Sequence, residues 1–262
     1  MTATPKTRLR NGEHLNGCWI EAFSSITAEI MAAAGYDTAM IDLEHGPGSF
    51  VDAIAMMQAV GNRGCAPLIR VSSTDSVTIK RALDIGPTGI MVPDVRSVAE
   101  AEAVVSACRY APAGNRGAAP IIIRAADYGR DVDAYLNWMQ SEFLLICQIE
   151  SRQAVEDIEQ IAAVEGVDML FIGPADLSGS LGAFGRFDTD EFIAAFERIE
   201  RTTLGAGKWL GTIPIPGWSA ERLFANGHHL VISGADTLFV RDGAAKDVRA
   251  LQTASQAVAT NT

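Results

Sequence analysis

FLLICQIESRQAVEDIEQIAAVEGVDMLFIGP, residues 143–174, holds one full repeat of the fold. It opens on an unbroken apolar run over 143–147 and closes on another over 169–172. Strands that read as continuous apolar runs are those buried on both faces by crossover helices. Between them lie apolar residues three and four apart, as at Ile158, Ile161 and Ala162, which is the period of an amphipathic helix. Strand, helix and strand within about 30 residues make a parallel βαβ unit.

The same alternation continues outward to both ends. Strands are predicted over 17–20, 38–42, 67–70, 89–93, 143–149, 168–172, 209–213 and 230–233. Helices are predicted over 25–34, 50–60, 76–85, 98–109, 154–164, 190–205, 219–225 and 244–257. Eight β-then-α units define an α/β fold, a single (β/α)₈ TIM barrel, rather than an open doubly wound sheet. No Gly-rich dinucleotide fingerprint follows the first strand, which also argues against a Rossmann fold. A chain of 262 residues with 48% apolar side chains suits one such domain over 1–262. The tail ASQAVATNT, from about residue 254, is expected to fray.

Composition excludes several classes of function. The net charge is −11 and no basic stripe with interleaved aromatics occurs, so no nucleic acid partner is expected. Apolar runs are strand-length, so no membrane partner is expected either. The first residues carry no apolar h-region, and Cys18, Cys65, Cys108 and Cys147 are scattered through apolar stretches without a C-x-x-C pair. Both features point to buried free thiols in a reducing, cytoplasmic setting. Two connections are long, 111–142 and the stretch GPADLSGSLGAFGRFD over 173–188. Long connections in a compact domain usually serve function. The second follows a strand, on the face where barrel chemistry sits; the first, with Arg116, Arg124 and Tyr128, follows a helix. It belongs either to the connection after the fourth strand or to a contact with a neighbouring subunit.

Barrel chemistry collects at the C-terminal ends of the strands. The second strand ends in Asp42 and runs into Glu44, His45 and Gly46, and the third ends in Arg70. The fifth ends in Gln148, Ile149 and Glu150, and the sixth in Gly173, Pro174, Ala175 and Asp176. Polar groups at the ends of four apolar strands do not face a core without partners. Gln148 and Glu150 are two apart and project to one side. Alone, Glu150 reads equally well as a helix cap and Asp176 as a loop carboxylate. Together they supply two hard oxygen ligands for Mg²⁺ or Mn²⁺, completed by water and substrate, with Co²⁺ also admissible. His45 reads alone as a surface histidine, but three residues past Asp42 it is close enough for a carboxylate to orient its ring. Arg70 at a strand end suits a developing enolate oxygen. His228 and His229 precede the eighth strand, at the opposite mouth, and read as structural or interfacial; LGAGKW around Lys208 lacks full P-loop spacing. None of Lys6, Lys80, Lys208 and Lys246 falls at a strand's C-terminal end, so a Schiff-base lysine is absent and a metal is left to do the polarising.

Several stretches in order resemble one family: AGYDTAMIDLEHGP, IRV followed by IKRALDIGPTGIMVP, EAEAVVSACRYAPAGNRG, QIESRQAVEDIEQIAAVEGVD and LFIGPADLSGSLG. Together they are similar to the class II pyruvate aldolases of the 4-hydroxy-2-oxoheptanedioate and 2-dehydro-3-deoxyglucarate aldolase family. The resemblance runs from about Gly17 to Gly243. It implies a metal-dependent barrel that cleaves a 4-hydroxy-2-oxo acid to pyruvate and an aldehyde. It further implies Glu150 and Asp176 as metal ligands, Arg70 on the 2-oxo oxygen, His45 paired with Asp42 as acid–base group, and the Gly173–Ala175 backbone with Gln148 around the pyruvate half. Homo-oligomers, hexamers in which the last helix packs on a neighbour, also follow from the resemblance. The runs RVSSTDS, AAPIIIRAADYG and GTIPIPGW depart from the family pattern, at aldehyde-side or lid positions that leave the pyruvate half intact. Two other readings stand beside it: a CoA-ester lyase of the citrate lyase β-chain type, disfavoured by DLEHG and the acidic balance, and a non-catalytic oxo-acid-binding barrel.

Overall fold

The computed structural model describes residues 3–259. Eight parallel strands close a barrel in the order β1 to β8: Leu15–Ile20, Thr38–Asp42, Ala66–Arg70, Gly89–Val92, Leu144–Ile149, Met169–Ile172, Trp209–Thr212 and Leu230–Ala235. All eight predicted strands are present, most shifted by a residue or two at their ends. The helices are α1 Pro5–Arg10, α2 Ser25–Ala33, α3 Phe50–Gly61, α4 Ser76–Asp84, α5 Val98–Cys108 and α6 Val132–Ser141. They continue with α7 Arg152–Glu156, α8 Ile158–Ala163, α9 Pro174–Ser180, α10 Asp190–Gly205, α11 Ala220–Ala225 and α12 Asp236–Ala259. The predicted helix 154–164 is split in two at Asp157. The last helix starts at Asp236, directly on the end of β8, instead of at 244. Residues 254–259 continue that helix, and the expectation for the tail beyond them lies outside the described residues. No described helix is long and apolar enough to cross a membrane.

Alternation along the strands divides the molecule into two cores. Leu15, Met40, Leu68, Met91, Leu144, Ile146, Met169, Phe171, Leu230 and Ile232 point into the barrel and fill its lower half. Their neighbours, among them Ile41, Ile69, Leu145, Cys147 and Leu170, pack outward against the helices. Burying each such side chain contributes about 1.5–3 kcal/mol. Following the inward register upward, Met40 leads to Asp42, Leu68 to Arg70, Ile146 to Gln148 and Glu150, and Phe171 to Gly173. The barrel therefore changes from apolar to polar along its own axis, and the change falls at the C-terminal mouth.

The other mouth is plugged. Helix α1 inserts Leu9 into the barrel core, and Lys6 Nζ donates to the Phe143 carbonyl at 3.0 Å and pairs with Asp168 at 2.7 Å. Burial pushes the Lys6 ammonium below its ordinary pKa against the pull of Asp168. His228, fully buried, bonds Glu200 at 2.8 Å at this same end, and His229 Nδ1 accepts from the Leu210 amide. Both make contacts within the chain, in keeping with a structural or interfacial reading of their position before β8. The 111–142 segment also begins at this end, after α5. Arg116 stacks on Tyr110 and pairs with Asp84 at 2.8 Å, and Arg124 donates to the Ile85 carbonyl. The segment thus packs along the end of α4 and is not part of the connection after β4. The four cysteines are buried and unpaired.

Candidate active site

Parallel pairing of β2 with β3 sets Asp42 directly beside Arg70. The two form a bidentate pair: Arg70 Nε donates to Asp42 Oδ1 at 2.9 Å and Nη2 to Oδ2 at 2.7 Å. The Arg70 guanidinium also lies 4.3 Å over the Trp19 ring and 3.2 Å from Glu44 Oε2. Burial alone would push the Asp42 carboxyl up. Arg70, with the Glu44 and His45 backbone amides, outweighs it and holds the group below the usual carboxylate range. A planar guanidinium fixed on two donors has a defined direction, and its Nη1 remains available to face the mouth. Glu44 moves the other way, pushed up by burial and only partly restrained by Arg70.

This geometry corrects one expectation. Asp42 does not orient the His45 ring; it is committed to Arg70, and its link to the next loop is an acceptance of the Glu44 amide at 3.0 Å. The reason is the strand period: Asp42 ends the inward row of β2, whereas His45 lies past the strand in a turn. The His45 side chain is 65% exposed, and the nearest ion-pair partner of its ring is Glu44 Oε2, at 3.9 Å.

Across the mouth, Glu150 Oε1 accepts the Asp94 amide at 2.8 Å, while Gln148 Nε2 donates to Oε2. Burial first, and the Asp176 charge second, push the Glu150 carboxyl up to about 7. Asp176 sits in the first turn of α9, behind Gly173, Pro174 and Ala175. Gly173 is required by close approach, because a Cβ there would overlap Glu150 Oε2 and lie 2.7 Å from Gln148 Nε2. Gln148 Oε1 is buried without a hydrogen-bond partner among the described residues.

Two hollows meet over these groups and share His45 and Asp176. One, of about 360 Å³, is lined by Trp19, Arg70, Gln148, Gly173, Ile213 and Leu238 among others. The other, of about 820 Å³, runs outward past Glu44, Asp94, Arg96, Glu150 and Arg152. Every predicted site residue therefore borders one mouth, except that Asp42 lies beneath it, under Arg70. Among the described residues no group of three or more His, Cys, Asp or Glu side chains converges as a ready metal cage. The donor set nevertheless fits a Mg²⁺-like ion, which keeps several waters and takes only one or two carboxylates from the protein. A buried carboxyl raised partly by the charge of a neighbouring carboxylate, as Glu150 is by Asp176, is also one that a cation would stabilise in its ionised form. Trp19 and Asp94 were not singled out from the sequence. Trp19 shares the inward row of Leu15, so strand period would have found it, whereas Asp94 lies past the end of β4 and off the inward row of Met91, and only its place at a strand's C-terminal end points to it.

A profile of the HpcH/HpaI aldolase/citrate lyase family matches residues 15–242, and the chain belongs to that family. Within it the chain is a class II pyruvate aldolase, a lyase that splits a 4-hydroxy-2-oxo acid into pyruvate and an aldehyde. It is 38% identical over 237 residues to 2-keto-3-deoxy-L-rhamnonate aldolase of Escherichia coli O17:K52:H18, covering 90% of this chain and 88% of the relative. A family member from Burkholderia cenocepacia J2315 superposes with a TM-score of 0.87 at 32% identity, covering 94% of this chain and 98% of the other. An HpcH/HpaI aldolase from Desulfitobacterium hafniense DCB-2 gives a TM-score of 0.86 at 26% identity, with 96% and 97% covered.

Proposed function

We propose that this aldolase works with one divalent ion, Mg²⁺, Mn²⁺ or Co²⁺, held by Glu150 and Asp176. Its substrates would be 2-keto-3-deoxy sugar acids like the one named for the Escherichia coli relative. The observation that carries the reading is the polar layer at one mouth of an otherwise apolar barrel, with a buried carboxyl raised to about 7 beside a second carboxylate. When bound, the ion supplies positive charge that polarises the 2-oxo group. Gln148 and the Gly173–Pro174–Ala175 turn hold the pyruvate half. Arg70, aimed by Asp42, donates from Nη1 to the 2-oxo oxygen and stabilises the enolate charge that gathers there. His45 takes the proton from the 4-hydroxyl. The C3–C4 bond then breaks, its electron pair passing into the enolate, the 4-hydroxyl carbon leaving as aldehyde and the enolate taking up a proton to become pyruvate. For 2-keto-3-deoxy-L-rhamnonate this gives pyruvate and lactaldehyde.

The oligomeric and cellular settings belong to the same proposal. Phe239, Val240, Val248 and Leu251 leave an exposed apolar face on α12, which supports a homo-oligomer, a hexamer by family resemblance, built through that helix. Buried free thiols support a cytoplasmic setting. The test of the chemistry is pyruvate release from 2-keto-3-deoxy-L-rhamnonate by metal-stripped protein, by protein reloaded with Mn²⁺ or Mg²⁺, and by Glu150→Gln. Reloading is expected to restore wild type and not the variant; full activity in stripped wild-type protein overturns the metal assignment.

A further inference from the structure

His45 sits on a loop whose only visible anchor on its own strand is Asp42, and its ring has no hydrogen-bond partner within the described residues. Something other than a side-chain bond must fix where this ring points. The loop reads His45, Gly46, Pro47, Gly48, and both glycines press against one side chain from another element. A Cβ at Gly46 would overlap Cε2 of Phe23, and a Cβ at Gly48 would overlap Cδ1, Cε1 and Cγ of the same ring. The Phe23 ring therefore fills the space that side chains at 46 and 48 would take, on either side of His45 and Pro47. Neither glycine has a positive φ, so close approach, not backbone conformation, is what requires glycine there: the Phe23 ring alone at 48, and the ring together with the Asp42 carbonyl oxygen at 46.

Phe23 is itself held in an unusual state. Its φ is +50°, in the left-handed region that a bulky residue seldom enters. Such a conformation persists only where the surroundings over-determine it. Here the surroundings are explicit. Asp236, buried at the start of α12, accepts the Glu21 amide at 2.9 Å, the Ala22 amide at 3.1 Å and the Thr27 hydroxyl at 2.7 Å. Thr237 Oγ1 donates to Glu21 Oε2 at 2.9 Å, and Ser24 caps α2. The chain is gripped on both sides of residue 23, and the ring is left pointing into the His45 loop.

We propose that Phe23 is the positioning residue for His45: a strained aromatic wedge, braced by Asp236, that sets the height and direction of the 45–48 loop over the mouth. It touches neither Arg70 nor the two carboxylates in any contact described above, so its effect should fall on proton transfer and not on binding of pyruvate. This rests on the reading of His45 as the acid–base group, and the experiment separates the two.

The experiment is a double-mutant cycle of Phe23→Ala and His45→Gln, read by cleavage of 2-keto-3-deoxy-L-rhamnonate with saturating Mn²⁺, with Phe23→Tyr as the ring-retaining control. Phe23→Ala is expected to lower kcat by about 10- to 10²-fold, less than the loss of a positioned acid–base group. The KM for pyruvate in the condensation direction and the Mn²⁺ affinity should stay within about twofold, and Phe23→Tyr should recover most of kcat. In the His45→Gln background, Phe23→Ala should cost less than about twofold more, because residues acting as one unit are not additive. Equal losses in both backgrounds, or a rise in pyruvate KM or weaker Mn²⁺ binding alongside the fall in kcat, overturn the proposal in favour of general damage. A Phe23→Ala enzyme with wild-type kcat overturns it alone. A His45→Gln enzyme with wild-type kcat overturns the acid–base assignment and this proposal with it.

Discussion

Glu150 should make the metal-free protein less stable as pH rises, and replacing it should remove that dependence. The residue is 6% exposed, and its carboxyl is pushed from 4.5 up to about 7, first by burial and then by the Asp176 charge. A carboxyl raised in the folded state binds its proton more tightly there than in the unfolded chain. The associated stability is therefore complete below about 4.5 and is lost as pH climbs to about 7. At about 1.4 kcal/mol for each tenfold change in proton affinity, the loss is roughly 3 kcal/mol. For a chain of this size that corresponds to about 6–12 °C in Tm. The measurement is a thermal melt in EDTA at pH 5 and pH 8, for wild type and Glu150→Gln. The variant is neutral at both values, and its amide can pair with Gln148 Oε1, which has no partner among the described residues. Its melting temperature at pH 8 should match or exceed that of wild type, despite the lost activity. Adding Mn²⁺ at pH 8 should raise wild type and leave the variant unmoved. Parallel pH profiles for the two proteins would refute the reasoning, since the carboxylate would then not be the strained group.

Other outcomes follow from contacts at both ends of the barrel. Gly173→Ala puts a methyl onto Glu150 Oε2 and Gln148 Nε2. Displacing a group of this kind by an ångström costs about 10²-fold in turnover, and Mn²⁺ titration should show weakened binding in a protein that still melts as a folded barrel. Asp168→Asn leaves Lys6 buried without its anion, and breaking one side of such a pair costs about 3–5 kcal/mol. Urea unfolding should register that loss while kcat at 25 °C is unchanged, because Asp168 is at the closed mouth.

The barrel was legible because period and polarity agree along each strand. Leu144, Ile146, Gln148 and Glu150 stand on one face of β5, and the point where that row turns polar marks the mouth in the sequence itself. Spacing in a loop carries no such information. The three residues from Asp42 to His45 suggested a dyad, but Asp42 faces inward to Arg70, a partner 28 positions away that only strand register brings near. Helices α1, α6 and α9 were missed: α1 and α9, of six and seven residues, are too short to show a period, and α6 buries only Tyr135 and Met139. Helix α12 was placed eight residues late, since a glycine at 243 and a charged pair before it look like a break when the anchoring of Asp236 to the Glu21 and Ala22 amides is unseen. Phe23 left no trace in the sequence at all: a positive φ at phenylalanine is imposed by Asp236, more than 200 residues away.

The plug of the lower mouth has a consequence for how the chain reaches this state. Thr4, Thr7 and Arg10 all contact Glu142, and Lys6 reaches Phe143 and Asp168, so a helix synthesised before any strand of the barrel binds partners some 132 or more residues later in the chain. The closing pairing of β1 with β8 spans a longer separation still, from Leu15 to Leu230. Contacts of such long range have a loop-closure entropy to overcome before they stabilise anything, and they make folding slow. A short amphiphilic segment must therefore wait, its Leu9 exposed, until the second half of the chain has been made and the tube has closed around the place it will stopper.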